Sequence, residues 1–314
     1  MYQVGIIGLG IMGRRMLADC QADPRFSVAS VWDLHVEQVN QVLREYPQIQ
    51  AADDAQTLIA RADLDLIYIA TPPTAHIKYA HLALNHAKAV LCEKPLSVDF
   101  AAAQQLVERA TDLRVPNALN FMYGEMAAVR ALNTAVRSGE LGKINAVEAH
   151  MQFPAWPRAW QNTGVWLAGR KEGGFIREVY SHYIYLLELL CGPSKVIWRQ
   201  AETTHQQTEV GMMAFLQAGE TPVRYMGNIG GAAPEHIVWT IYGTLRSYRL
   251  WNWTTLQISE GVTWNNVDLT PTSPLDEIDL MLRGEPHLLA DFALGLRVQH
   301  IIEAITGAPA AENS

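Results

Sequence analysis

Val4-Gly5-Ile6-Ile7-Gly8-Leu9-Gly10-Ile11-Met12-Gly13-Arg14-Arg15-Met16-Leu17 lies at the head of the chain. A short apolar run leads into G-x-G-x-x-G, and the glycines open a helical stretch. In that context the motif reads as a strand-to-helix turn that takes a dinucleotide. Gly8 allows the tight turn, Gly10 lets the backbone approach a pyrophosphate, and Gly13 lets helix pack closely on strand. The N–H groups around Ile11 and Met12, at the positive end of the helix, suit the phosphates. Asp33 ends the next apolar run, 20 residues beyond Gly13. A carboxylate there accepts from both ribose hydroxyls and repels a 2′-phosphate. Leu34-His35 follow without an arginine, so NAD is favoured over NADP.

Beyond this segment, strand and helix signals alternate. Apolar runs at 26–32, 64–70, 88–92 and 115–120 are separated by helical stretches at 36–46, 55–60, 74–85 and 98–111, with Asp54 and Ser97 as N-caps. This alternation predicts a parallel sheet covered by helices. A helix at 124–138 follows. Strand-like runs then succeed one another at 144–153, 196–202, 209–216, 223–229, 236–242, 247–251 and 256–259, interrupted by helices near 175–190 and 288–305. The expectation is an α/β chain. A Rossmann dinucleotide-binding domain spans 1–121. A C-terminal α+β domain with a large, open, mostly antiparallel sheet spans 122–314, and its last helix, about 288–306, packs back toward the first domain. The acids at Asp276 and Glu277 read as a solvated face.

Length and composition agree with two globular domains: 314 residues, 49% hydrophobic and 18% charged. A net charge of −8 argues against a nucleic-acid binder. Three widely spaced cysteines, Cys20, Cys92 and Cys191, suggest neither zinc nor a disulfide framework, and fit a cytoplasmic setting. The N-terminus reads as a strand rather than a signal peptide, and no run of 18 apolar residues suggests a membrane span.

A nucleotide fold does not specify a reaction. No lysine has a tyrosine four residues before it, and H-E-x-x-H, G-x-S-x-G and Walker A sequences are absent. Two segments remain. Cys92-Glu93-Lys94-Pro95 sits at the carboxyl end of the fifth apolar run, where such sheets bind ligands. Lys94 is one of only six lysines, its bond to Pro95 is a candidate cis peptide, and its ammonium suits the oxygen of an alcohol or carbonyl. In Gly173-Gly174-Phe175-Ile176-Arg177-Glu178-Val179-Tyr180-Ser181-His182, Glu178 and His182 share a helix face. A carboxylate beside an imidazole makes a base that works near neutral pH. On spacing alone the pair reads at least as readily as an exposed pair or a buried structural histidine. Trp156, Arg158, Trp160 and Trp166 form either a pocket wall or a core and subunit contact, with Arg158 suited to a carboxylate. Asn252-Trp253-Thr254 matches a glycosylation sequon, without consequence in a cytosolic chain.

Taken together, these motifs resemble the glucose–fructose oxidoreductase/inositol dehydrogenase (Gfo/Idh/MocA) family over nearly the whole chain. Gly8–Gly13 with Asp33 is similar to its cofactor motif, and Thr71-Pro72-Pro73-Thr74-Ala75-His76 to the loop that lines the cofactor. Glu93-Lys94-Pro95 is similar to its E-K-P motif, whose lysine is catalytic. Ser138–Ile144 is similar to its helix-to-sheet junction, and after Asn120 the chain reads Phe121-Met122-Tyr123 where many members carry an arginine. The family's G-G-x-x-x-D-x-G-x-H-x-x-D is matched at Gly173, Gly174 and His182. Glu178 replaces aspartate, Tyr180 a glycine and Tyr185 the second aspartate, which bears on polyol specificity. The resemblance implies cofactor contacts from Gly8, Gly10, Ile11, Met12, Gly13, Asp33, Thr71, Pro72, Pro73, His76, Glu93, Lys94 and Asn120. It implies catalysis by Lys94 and His182 with Glu178, meeting at one redox carbon. Substrate contacts are expected from Trp156, Arg158, Trp160 and Tyr180, and no metal. The implied activity is NAD(P)-dependent hydride transfer to or from a secondary alcohol or ketone carbon of a sugar or cyclitol. A cyclic diol, carboxylated carbonyl or imine substrate, or a non-catalytic NAD-binding regulator, are the alternatives. A homodimer or homotetramer through the C-terminal sheet is the expected assembly.

Overall fold

The computed structural model describes residues 1–159, 167, 169, 173–203 and 209–307. Contacts divide the protein into two units, Met1–Glu125 with Ser273–Leu296, and Met126–Thr272 with Arg297–Ser314.

The first unit contains β1 (Tyr2–Ile7), α1 (Ile11–Ala22), β2 (Phe26–Trp32), α2 (Val36–Glu45), β3 (Gln50–Ala51), α3 (Ala55–Ile59), β4 (Leu66–Ile69), α4 (His76–Asn85), β5 (Ala89–Glu93), α5 (Phe100–Leu113) and β6 (Asn117–Asn120). The strands form a sheet in the order β3-β2-β1-β4-β5-β6, every pair parallel. Central strands such as β4, Leu-Ile-Tyr-Ile, are buried throughout, as expected for a sheet covered on both faces. The order reverses between β1 and β4, which sets a ligand crevice outside the carboxyl ends of those strands. Asp54 caps α3, accepting from the Thr57 N–H at 2.6 Å. Ser97 is not the cap expected of it. It accepts from the Asp99 N–H at 2.9 Å and so shapes the turn, while Asp99 caps α5 by accepting from the Ala102 N–H at 3.0 Å.

The second unit contains α6 (Ala127–Arg137), β7 (Ile144–Phe153), α7 (Ser181–Cys191), β8 (Ser194–Thr203), β9 (Glu209–Ala218), β10 (Thr221–Ile229), β11 (His236–Gly243), β12 (Ser247–Trp251), β13 (Thr255–Ser259) and β14 (Asn265–Asn266). Its sheet runs β14-β13-β12-β11-β7-β10-β9-β8, antiparallel except for β7 with β10. A large aromatic core sits under one face. Trp239 Nε1 donates to the Tyr225 hydroxyl at 3.0 Å, which donates on to the Tyr183 carbonyl at 3.0 Å. The opposite face leaves Trp198, Met213, Phe215 and Met226 exposed by 43–48%. The register pairs Trp198 with Phe215 and Met213 with Met226, so these apolar side chains are neighbours.

Three expectations need correction. The sequence pattern places the domain division at residue 121, with everything beyond it in the second domain. Ser273–Leu296 instead belongs to the first unit, and Asp276 and Glu277 are not a solvated face but start α8 (Asp276–Leu282). Leu275, Ile278 and Met281 complete the first unit's core. Glu277 is buried and accepts from the Leu288 N–H at 2.6 Å. Arg25 reaches Asp23 at 2.6 Å, Asp276 at 2.7 Å and Asp279 at 3.2 Å, and Ser273 donates to Asp23 at 2.7 Å. The closing helix α9 (Phe292–Thr306) begins four residues later than expected. The Phe292 N–H donates to Asn117 Oδ1, and the Leu119 N–H to the Ala290 carbonyl, both at 2.8 Å.

Arg25 therefore bridges three carboxylates of the first unit. Hydrogen bonding to Arg25 holds the Asp23 carboxyl well below the usual carboxylate range. A depressed folded-state pKa contributes stability above the ordinary value of 3.8, and that stability is lost as the pH falls below it. Arg25→Ala is expected to cost about 2–3 kcal/mol in urea unfolding, less than a fully buried pair because Arg25 is partly exposed. It should also flatten the acid limb of the stability profile below pH 3.8. An unchanged profile would show that the cluster does not hold the 273–296 segment.

Candidate active site

The glycine turn is built as its sequence requires. Gly8 has φ +96°, and a Cβ there would press on the Ala70 carbonyl at the end of β4. A Cβ on Gly13 would land on the Gly8 carbonyl oxygen. At Gly10 an added Cβ meets nothing, so the empty space lies outside the protein's own packing. Gly10 is the N-cap of α1 and supplies no capping side chain, which leaves the first-turn N–H groups facing that space. Asp33 fastens the turn: Oδ2 accepts from the Leu9 N–H at 2.6 Å and Oδ1 from the His35 N–H at 2.8 Å. A carboxylate has about four acceptor positions, so two remain. Ile11 and Leu34 are 64% and 80% exposed beside this cradle.

The carboxyl ends of β4, β5 and β6 bring Thr71, Glu93, Lys94 and Asn120 to the same edge, with Glu93 and Asn120 in register. Glu93 accepts from the Tyr68 hydroxyl and from Asn120 Nδ2, the latter at 2.7 Å. Burial raises the Glu93 pKa, against these hydrogen bonds and the charges of Lys94 and Arg15. The Lys94–Pro95 bond is cis. Among the described residues, Thr71 Oγ1 and Asn120 Oδ1 are buried without hydrogen-bond partners. Such orphaned atoms at a strand edge fit a ligand rich in donors and acceptors, and with the cradle at Gly10 they fit a dinucleotide. Pro72 is exposed and Pro73 buried on the loop after β4. His76 is not free to take the cofactor role expected of it. It is fully buried, with Nδ1 2.8 Å from the Pro95 carbonyl and Nε2 2.8 Å from the Thr71 carbonyl, so it ties two edge loops together.

Tyr68 and Glu125 escaped the sequence reading. Tyr68 is signalled only by a hydroxyl in an otherwise apolar buried strand. Glu125, five residues beyond Asn120, carries no signal in the sequence. Among the described residues its Oε1 is buried without a hydrogen-bond partner, and burial pushes the carboxyl up to about 8, with Arg15 opposing and Glu93 and Asp19 reinforcing.

In the second unit, residues 176–180 form a π-helical turn that runs into α7. Glu178 and His182 lie along this stretch, both half-buried. The Glu178 charge acts on Arg158, which also faces Glu235 at 3.8 Å. The Arg158 Cζ lies 5.1 Å from the Trp253 ring centroid and 5.6 Å from those of Phe153 and Trp156. Trp156 Nε1 donates to the Leu167 carbonyl at 3.1 Å. Trp160 and Trp166 lie outside the described residues. Tyr180 is corrected from substrate contact to core: it is fully buried, its hydroxyl donates to the Met226 carbonyl at 2.6 Å, and Gly227 leaves room for its ring. Tyr185 is fully buried as well. Among the described residues no group of three His, Cys, Asp or Glu side chains is placed to hold a metal, and no helix is long and apolar enough to cross a membrane.

The family model described as "Oxidoreductase family, NAD-binding Rossmann fold" matches residues 2–121, and that of the "GFO/IDH/MocA C-terminal domain" matches residues 129–249. The protein is 28% identical over 163 residues to an inositol 2-dehydrogenase of Rhodococcus jostii, covering 51% of this chain and 44% of that protein. It is 26% identical over 191 residues to a dTDP-3,4-didehydro-2,6-dideoxy-alpha-D-glucose 3-reductase of Streptomyces violaceoruber, covering 60% and 54%. These matches span about half the length of the relatives. Among solved structures, a UDP-N-acetylglucosamine 3-dehydrogenase of Acidithiobacillus ferrooxidans superimposes with TM-score 0.81 at 21% identity, covering 98% of this chain and 97% of that one. At that identity the likeness concerns the fold.

The buried Glu125 acid gives a stability test. Its raised folded-state pKa contributes stability that is complete below 4.5 and is lost as the pH rises toward about 8. Relative to Glu125→Gln, the native protein should lose stability across that window, with a slope of at most about 1.4 kcal/mol per pH unit. Parallel unfolding curves for the two proteins from pH 5 to 8 would remove Glu125 as a buried acid.

Proposed function

The chain belongs to the GFO/IDH/MocA oxidoreductase family, and from that premise we propose that it is an NAD-dependent dehydrogenase or reductase. Its substrate in this reading is a secondary alcohol or ketone on a neutral hydroxylated ring, a cyclitol or sugar. The observation that carries the reading is the carboxyl edge of the first sheet, where the open cradle at Gly10, the carboxylate of Asp33 and the orphaned oxygens of Thr71 and Asn120 accompany Lys94. When bound, the nicotinamide supplies the two-electron oxidant or reductant. The turn from Gly8 to Gly13 and the first turn of α1 hold the pyrophosphate. Asp33 binds the adenosine ribose while it keeps Leu9 in place. Lys94 donates to the substrate oxygen and stabilises negative charge as it develops, an effect worth about 3–4 kcal/mol for one well-placed donor. Within the second unit, His182 is the proposed proton acceptor of the oxidative direction, with Glu178 orienting or charging its ring.

A neutral ring is preferred over a carboxylated one because Arg158 already faces Glu235 and Glu178, with which a substrate carboxylate would compete. The inositol and sugar chemistry in the relatives' names supports the same class. A second copy of the protein is proposed to cover the exposed face at Trp198, Met213, Phe215 and Met226, giving a dimer or tetramer. A cytoplasmic setting goes with the unpaired thiols Cys20, Cys92 and Cys191.

Purified protein with NAD and a panel of inositols, sugars, diols and hydroxy acids should reduce the nicotinamide, followed by absorbance, with at least one ring polyol. Lys94→Ala and His182→Ala should each lower turnover about 10²-fold or more while NAD affinity stays within about threefold. Near-native turnover in both variants would reject the roles, and inactivity toward every panel member, in either direction, would favour a non-catalytic cofactor binder. Asp33→Ser should weaken NAD about tenfold and improve NADP binding, measured by calorimetry, and an unchanged preference would remove Asp33 from the ribose site.

A further inference from the structure

Trp253 occupies a backbone position that suits glycine. It is the middle residue of the turn between β12 and β13, with φ +72°, and Asn252 before it has φ +45°. The Thr254 N–H donates to the Asn252 carbonyl at 2.9 Å, closing a γ-turn of the rarer positive-φ kind, which is strained for a bulky side chain. Glycine would adopt it without penalty. The tryptophan ring is nevertheless held firmly. Its Nε1 donates to Glu235 at 2.9 Å, Arg158 lies against the ring, and the Tyr183 ring centroid is 6.1 Å away. The side chain is only half-buried. Tyr183 follows His182 directly, and Arg158 carries the influence of Glu178. Strained positions of this kind cluster at ligand sites, and here the strained residue's ring is fixed by Arg158, Glu235 and Tyr183.

We infer that Trp253 is a specificity-determining residue, an aromatic platform on which the C–H face of a hydroxylated ring stacks, with Arg158 and Glu235 fixing the indole. This deepens the proposed function and rests on it for the ring class. Indole presents a flat, polarisable face to axial C–H groups, and an acyclic polyol cannot lie flat on it in one low-entropy pose. The platform therefore discriminates cyclic from acyclic polyols. The indole is not required by the turn, so its removal separates recognition from folding.

The experiment compares native protein with Trp253→Gly and Trp253→Phe, each saturated with NAD. Calorimetry measures binding of myo-inositol, glucose and the acyclic polyol sorbitol, and thermal unfolding gives Tm. Trp253→Gly should leave Tm unchanged or raised, weaken whichever ring polyol binds about tenfold or more, and leave sorbitol within about twofold. Trp253→Phe should recover part of the ring affinity. Where turnover is present, KM for the ring should rise with kcat within about threefold. Unchanged ring binding in Trp253→Gly overturns the platform, as does a fall in Tm that accounts for the loss. Native protein that binds neither ring polyol also overturns it. Ring binding without turnover in the native protein counts against the enzymatic reading alone, and the variants still decide the platform.

Discussion

Parallel pairing is the constraint on which the rest of the first unit depends. When every strand of a sheet runs the same way, every carboxyl end falls on one edge, and each return must be made by a crossover. Residues far apart in sequence are then delivered to one rim: the glycine turn after β1, Asp33 after β2, Thr71 after β4, Lys94 after β5 and Asn120 at the end of β6. The reversal of strand order between β1 and β4 opens the crevice there. Small steric facts preserve it. A side chain on Gly13 would strike the Gly8 carbonyl, and Asp33 holds the Leu9 N–H, so turn and second strand keep their relative placement.

The rim also concentrates charge where solvent is scarce. Glu93 accepts from Tyr68 and Asn120, and Arg15 acts on both Glu93 and Glu125. Burial disfavours ionisation of both acids, and two carboxyls in one neighbourhood disfavour it further. Arg25 meets the opposite situation, with three aspartates around one guanidinium, and the outcome is a fastening rather than a functional group. The contrast shows why charged residues must be judged by their surroundings: the same residue types hold a segment in place at one end of the sheet and line a crevice at the other.

In the second unit aromatic residues divide between support and surface. Tyr180 and Tyr185 depart from the family pattern, yet both are core, and the Tyr180 ring depends on the missing side chain of Gly227. Trp253, within a tripeptide that the sequence marks only as a sequon, lies over Arg158. Neither placement follows from composition. An aromatic residue in a strand-rich segment has the same local appearance whether it packs inward or lines a pocket, and only the register and the turn geometry distinguish the two.

Residue order alone was enough to establish the two kinds of sheet, the glycine turn with its acid partner, and the place of Lys94 at a strand end. Each of these rests on local physics: alternation of apolar runs, the backbone freedom of glycine, and the short reach from a strand to its following loop. Folding in three dimensions was needed to show that the buried His76 ties two loops together, that Ser97 yields its cap to Asp99, that Asp276 and Asp279 hold a late segment to the first unit, and that Glu277 is buried on a backbone N–H within that segment. It was needed too for Glu125 as a buried acid and for Trp253 at a strained turn position. Those outcomes depend on partners remote in sequence, or on the loss of solvent, and neither leaves a periodic trace among the residues.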